Sequence, residues 1–347
     1  MEYKAKSQPS MSKALKAKLA HLGESYRDKT GQDFAHFFCP ILFKDEETEL
    51  CRAHVVNEAL PGLPRPWTVQ RKDVDGFYGS AFEPGLVDVE KLSQPRSAFD
   101  ILNDRALSKR MSRRILLNEQ SVEFLHDRRG IPNGFTRVSV DGKELDTPFG
   151  LRMHPIDVIA SSSESWQLEY SVDLRIEMVV SVIKAAHLSL FHLLGYRYAL
   201  MPSGRYVGGD ILGKFFQQNR GKRKRDVLKN AHPFFREFRN MVRPLIACPF
   251  PCEGTISDSN FLVCVGSSGC RWGLIVLVRT GAITHAAMMP LFETPDEIST
   301  YLDFMRNDNC SIQASHCRFV NDRWEISKNT FPLTWPKTGV LYPDEPD

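Results

Sequence analysis

The 347 residues contain no Gly-rich phosphate loop, no Gly-x-Ser-x-Gly elbow and no His-Glu-x-x-His. Those absences remove the commonest sequence marks of nucleoside-triphosphate chemistry, serine hydrolysis and zinc proteolysis. Eight cysteines are too dilute for a disulfide scaffold in a chain of this size. No apolar run is read as long enough to span a bilayer, which needs roughly 18–20 residues. The first residues are lysine-rich without an apolar core segment, so they do not read as a secretory signal. A cytoplasmic location with no membrane partner is the expectation. There is no internal repeat and no low-complexity tract.

Net charge is also small, +3, so the total does not point to nucleic acid. The distribution does more. Arg105, Lys109 and Arg113 recur every four residues and would share a helix face, with Arg110 and Arg114 beside them. Arg220-Gly221-Lys222-Arg223-Lys224-Arg225 forms a second basic cluster. Both are candidate phosphate-binding surfaces, and each is also the kind of solvated face that any soluble protein carries.

Hydrophobic content of 42 % and charged content of 25 % fit an ordinary globular protein with room for two or three compact parts. Residues 1–30 read as a basic leader, 31–95 as a small compact block, 96–245 as a mainly helical region with a β-hairpin, and 246–347 as a C-terminal α+β domain. Residues 96–130 are expected to be helical. Asp141-Gly142 between Arg137–Val140 and Lys143–Leu145 is a hairpin signal, because Asp-Gly adopts the positive φ of a tight turn. Trp166–Val172 alternates as a strand. Ile176, Val179, Val180, Ile183, Ala186, Leu190, Leu193 and Leu194 carry the period of a helix from about 174 to 194, stopped by Gly195. Its histidines, His187 and His192, read as packed or capping groups. Short helices are expected from Asp210 to Asn219 and from Pro233 to Val242. Apolar runs at 261–265, 274–278 and 282–288 predict an antiparallel sheet, followed by a helix opening at Thr294–Glu297 and strands near 311–320 and 323–327. The fold class is α+β.

The residues with most chemical character lie between 39 and 83. Cys39-Pro40-Ile41-Leu42 opens the block, and Cys51-Arg52-Ala53-His54-Val55-Val56-Asn57 follows a polar spacer. Asp73-Val74-Asp75-Gly76-Phe77-Tyr78-Gly79-Ser80 closes it. Residues 36–90 resemble the HNH family of metal-dependent nucleases, whose small ββα finger ends its first strand with His-hydrophobic-hydrophobic and its helix near Phe-Gly-Ser. The resemblance implies His54 as general base, with Asp73 or Asp75 helping to hold a divalent ion, zinc or magnesium, for phosphodiester hydrolysis. It implies Cys39, Cys51 and His54 as metal ligands converging on one site. Leu42 stands where the second knuckle cysteine is expected, and Gln70–Asp73 where a second Cys-x-x-Cys is expected. Ala53 stands in place of a metal-binding acid, and Asn57 in place of a proline. Either a mixed site survives among Cys39, Cys51, His54 and Asp73, or apolar packing from Phe37, Phe38, Trp67, Phe77 and Tyr78 has replaced the zinc. The expected function is that of a nucleic-acid-binding protein acting as a metal-dependent endonuclease; the alternative is a non-enzymatic nucleic-acid or protein interaction and assembly protein. Lys222, Arg223 and Arg225, with Arg105, Lys109 and Arg113, are the candidate contacts to the backbone.

Overall fold

The structure, a computed structural model, describes residues 11–60, 66–87 and 176–244, the backbone of five strands between 114 and 169, and most of the strands and one helix beyond 257. The chain is α+β. It forms two compact units, one from residues 1–84 and 176–335, the other from residues 85–175 and 336–347. The block at 31–95 is therefore not a domain of its own, and the 96–245 region is divided rather than continuous.

Helix α1 (Lys13–Thr30) begins at Ser12, whose hydroxyl accepts from the Leu15 N–H, and ends at Gly31 in the left-handed conformation. Strands β1 (Leu50–His54) and β2 (Trp67–Arg71) pair antiparallel, with Cys51 opposite Gln70 and His54 opposite Trp67. Helix α2 (Lys72–Ala81) follows β2 directly, with Asp73 and Asp75 in its first turn. The ββα order expected from the sequence is present.

Helix α3 (Ile176–Leu194) is the centre of this unit. Fifteen of its nineteen residues are buried, and it packs against β2 on one side and the C-terminal sheet on another. Apolar residues all round a helix mark a core element rather than a surface one. By length and composition α3 could also cross a bilayer, a property not read from the sequence, but its most apolar window is 83 % buried within the fold.

After two single helical turns, a wide π-helical segment (Tyr206–Gly213) leads into α4 (Lys214–Asn219). Asp210 thus lies inside a helical run instead of capping one. Helix α5 (Lys224–Phe235) starts nine residues before the expected Pro233 and holds that proline in its last turn, then tightens to a 3₁₀ segment (Arg236–Met241). Val227, Ala231 and Phe235, four apart, bury one face of α5, and that spacing drives the early start.

The second unit contains a five-stranded sheet: β3 (Arg114–Leu117), β4 (Gln120–His126), β5 (Pro132–Val140), β6 (Lys143–Asp146) and β7 (Leu168–Glu169), in the order β6-β5-β4-β3-β7. Val140 pairs with Lys143 across Asp141-Gly142, as the turn chemistry requires. Residues 114–117 and 120–126 are strands, correcting the expected helix there. Arg105, Lys109 and Arg113 lie outside the described residues.

The C-terminal sheet belongs to the first unit. It comprises β8 (Val242–Pro244), β9 (Ser257–Asp258), β10 (Phe261–Ser268), β11 (Arg271–Arg279), β12 (Thr284–Met289), β13 (Ser311–Val320) and β14 (Arg323–Thr334). The order is β14-β13-β10-β11-β12-β8, with β9 on β10, all antiparallel. Helix α6 (Ile298–Met305) starts after the expected Thr294–Glu297 opening.

Candidate functional site

The knuckle begins at Cys39. Its N–H donates to the Lys44 carbonyl at 3.0 Å, and its own carbonyl accepts from the Phe43 N–H at 2.9 Å. Phe43 is held at φ 54°, a left-handed position that a bulky residue occupies only at a cost of about 1–3 kcal/mol. Its ring packs edge-on to Phe38, 5.9 Å between centroids, which helps hold it there. The adjoining loop is organised by Asp45, whose carboxylate accepts from the Ala35, His36 and Phe37 N–H groups.

Where a zinc would join knuckle to helix start, side chains do so. The Cys39 thiol donates to Gln70 Oε1 at 3.2 Å, and the same oxygen accepts from the Arg71 N–H at 2.9 Å. Burial pushes the Cys39 thiol up to about 11, so it stays protonated. Arg71 reaches Glu46 Oε2 at 2.7 Å and Asp73 Oδ2 at 2.9 Å, tying the spacer to the first turn of α2. Burial raises the Asp73 carboxyl, but the hydrogen bond and charge of Arg71, with backbone hydrogen bonds, together outweigh it and hold the group below its ordinary range.

The three residues expected to share one metal do not come together. Side chains alternate along a strand, so Cys51 and His54, three apart on β1, face opposite sides of the hairpin. Cys51 Sγ lies 3.6 Å from the Gln70 carbonyl and 3.8 Å from Asp75 Oδ2. Burial, then the Asp75 charge, pushes its thiol up to about 12. His54 Nδ1 lies 3.8 Å from Glu58 Oε2, and its ring is 24 % exposed. Among the described residues no three His, Cys, Asp or Glu side chains are grouped to hold a metal ion. The donor set therefore does not fit the zinc or magnesium that the resemblance implied. Leu42 and Gln70 offer no thiolate, Asp73 is committed to Arg71, and Cys39 has a hydrogen-bond partner of its own.

Asp75 is likewise taken. Lys184, in the middle of α3 and 2 % exposed, places Nζ 2.8 Å from Asp75 Oδ1 and 2.8 Å from Glu83 Oε1. Burial alone would lower the ammonium, but the Glu83 and Asp75 carboxylates more than offset it and the net direction is up. Asn57, after β1, donates from Nδ2 to the other Glu83 oxygen and accepts the Ala59 N–H on Oδ1. The cation at the heart of the finger is an ammonium supplied by α3. Sequence reasoning missed this group because Lys184 is 109 residues from Asp75. Its one local sign was a lysine inside an otherwise apolar helix.

Histidines and tyrosines complete the joint. His187 bridges the Tyr198 hydroxyl at 3.0 Å and the Pro40 carbonyl at 3.2 Å. Its ring has the packing role expected from the sequence, and burial lowers it to about 4. The Tyr78 hydroxyl donates to the Leu212 carbonyl at 2.6 Å, in the π-helical segment where carbonyls leave the regular ladder. His192 Nδ1 donates to the Trp67 carbonyl, 2.9 Å away. Arg52 stacks on the Trp67 ring at 4.4 Å.

The second basic cluster meets the finger. Lys224 Nζ donates to the Ser80 carbonyl at 3.0 Å, at the C-terminal end of α2, where cations are favoured. Asn57 and Glu83 join the same end of α2 to the loop that follows His54. Arg220, Arg223 and Arg225 are exposed and have no ion-pair partner among the described residues, and Lys222 makes only a 3.3 Å contact to Asn219 Oδ1. Gly221, at φ 81°, makes the turn that presents them.

No protein-family model, curated protein or solved structure matches the chain.

Proposed function

We propose that this chain is a nucleic-acid-binding protein in which the ββα block is a metal-free scaffold and not a nuclease centre. The observation that carries the reading is the basic turn 220–225. One of its lysines is anchored on the carbonyl end of α2, while Arg220, Arg223 and Arg225 are exposed with no ion-pair partner among the described residues. Unpaired cations held at one end of a rigid block supply phosphate attraction without any metal. The hydrolytic alternative needs His54 and a carboxylate to meet across a bound ion. Against it, Asp73 and Asp75 are paired with Arg71 and Lys184, and Cys51, which faces Asp75, lies on the other side of the hairpin from His54.

Gel-shift and plasmid-nicking assays test both halves together, with magnesium, manganese or zinc supplied. The expected result is salt-sensitive binding with no nicking, and a melting temperature unchanged by EDTA. Nicking that needs metal and disappears in His54→Ala would overturn the scaffold reading. A lowered melting temperature on chelation would show that the finger holds a structural metal.

A further inference from the structure

Helix α5 carries a second row of cations that continues from the turn. Arg225, Lys229, His232 and Arg236 are all exposed. Their spacing of four, three and four residues puts them within an arc of about 60° at ~100° per residue, on one line along the helix. Arg225, Lys229 and Arg236 have no ion-pair partner among the described residues. The row is about 16 Å long at 1.5 Å per residue. The acids on the exposed surface, Asp226 and Glu237, sit about a quarter-turn to one side, which leaves the row itself uninterrupted. On the opposite flank, Lys224 is drawn away to Ser80.

Among the described residues the large exposed apolar side chains are Met11, Val320 and Ile326, and none is aromatic. Single-strand binders rely chiefly on Phe, Tyr and Trp faces that stack bases, and among the described residues none of these is exposed. Backbone phosphates alone match a row of cations with nothing to read or stack a base. One strand of a duplex presents a charge about every 3.4 Å along the axis, so the row spans about five phosphates.

We infer that the α5 row, continued by Lys222 and Arg223, is a docking face for the sugar–phosphate backbone of duplex nucleic acid, bound without regard to sequence. This rests on the nucleic-acid reading above and names the surface and the ligand form. The side chains are exposed, so replacing them leaves the buried α5 face of Val227, Ala231 and Phe235 untouched.

The test is equilibrium binding over a salt series with labelled mixed-sequence DNA duplex, RNA duplex, poly-dT and poly-glutamate. Binding of either duplex, tighter than poly-dT and with similar affinity for unrelated sequences, is expected. The DNA and RNA arms tell which helix form is the better fit. In R225Q/K229Q/R236Q the log–log salt slope should fall by roughly 2.7, at about 0.9 per phosphate contact. A K13Q/K16Q control on exposed α1 positions should leave the slope as it was. Failure of the wild-type chain to bind any nucleic acid overturns the function proposed above and this inference with it. Retained duplex binding with an unchanged slope in the triple variant overturns this inference alone. Tighter binding of poly-dT or poly-glutamate than of duplex also overturns it, by assigning the face to single strands or to an acidic protein.

Discussion

Replacing Lys184 by methionine tests whether an ammonium has taken over the cohesive role of an ion. The substitution keeps most of the length and apolar stem of the side chain and removes the charge with its N–H donors. Asp75 and Glu83, 28 % and 16 % exposed, would then face each other with no cation between them. Removing one partner of a buried ion pair costs about 3–5 kcal/mol, and the partial access of both carboxylates to water brings the expectation to about 2–4 kcal/mol. The same substitution made in an Asp75→Asn, Glu83→Gln background should cost about 1 kcal/mol or less, since no unpaired charge is created. The coupling between Lys184 and the two acids is therefore expected at about 2 kcal/mol, measured by urea denaturation of the four proteins of the cycle. Magnesium or calcium should recover part of the lost stability in Lys184→Met and none in the triple variant, because only the former leaves two carboxylates free for a cation. A cost below about 1 kcal/mol, or a coupling near zero, would refute the claim that this lysine holds α2 to α3.

Two further predictions concern the same joint. A Cβ at Gly213 would lie well inside van der Waals contact distance of the Ile41 carbonyl oxygen, so Gly213→Ala should destabilise by about 1–3 kcal/mol or more. Gly76→Ala meets nothing within 4 Å in the interior of α2 and should be neutral or stabilise by up to about 1 kcal/mol. Equal denaturation midpoints for these two variants would refute the close approach of knuckle and π-helical segment. His187 and His285 are buried, and burial lowers both to about 4. In the unfolded chain they bind protons from about pH 6.5, so stability is full above that pH and falls as pH drops toward 4, by about 3 kcal/mol for each. The lowered Asp73 adds its own loss only below about pH 4. Denaturation at a series of pH values should show the decline, and His187→Phe should remove about half of its slope. A flat profile between pH 7 and 5 would contradict the buried, neutral state.

The local elements were legible where sequence carried a complete signal. Asp141-Gly142 set the β5–β6 register, and the apolar period of 176–194 gave α3 to within two residues at its start. Misreadings arose where two patterns competed. The four-residue recurrence of arginine and lysine before Arg114 suggested helix beyond it, but Ile115-Leu116-Leu117 lies in a strand whose partners are β4 and the distant β7. Pairing at that sequence separation leaves no local trace. At α5, Arg223–Arg225 read as a charged loop and Pro233 as a helix start. Lysine and arginine are good helix formers, and the buried triplet Val227, Ala231, Phe235 decided the boundary instead. For the site, the positions of His54 at a strand end and Asp75 at a helix start were readable. That they face different partners was not, since it depends on strand alternation and on a lysine from α3.

The missing ligands and the buried helix have one physical explanation. A finger of some fifty residues lacks enough apolar surface to fold alone, which is why small fingers normally borrow stability from zinc. Here the block does not stand alone. Phe37, Tyr78 and Phe82 are fully buried, and Phe77 and Phe82 pack on Phe215 from α4. The Tyr196 hydroxyl holds the Phe38 carbonyl, His187 holds Pro40, and Lys184 holds both acids of α2 and its exit. With α3 supplying the core and an internal cation, the stability of the block does not require a thiolate at position 42 or 70. Leucine and glutamine fit the same places, one in apolar packing and one as the acceptor for Cys39. The exposed cations on α5 and its turn do not depend on any bound ion for their position. The absence of a grouped donor set among the described residues and the exposure of these cations are thus physically independent, so the binding we propose does not depend on a metal.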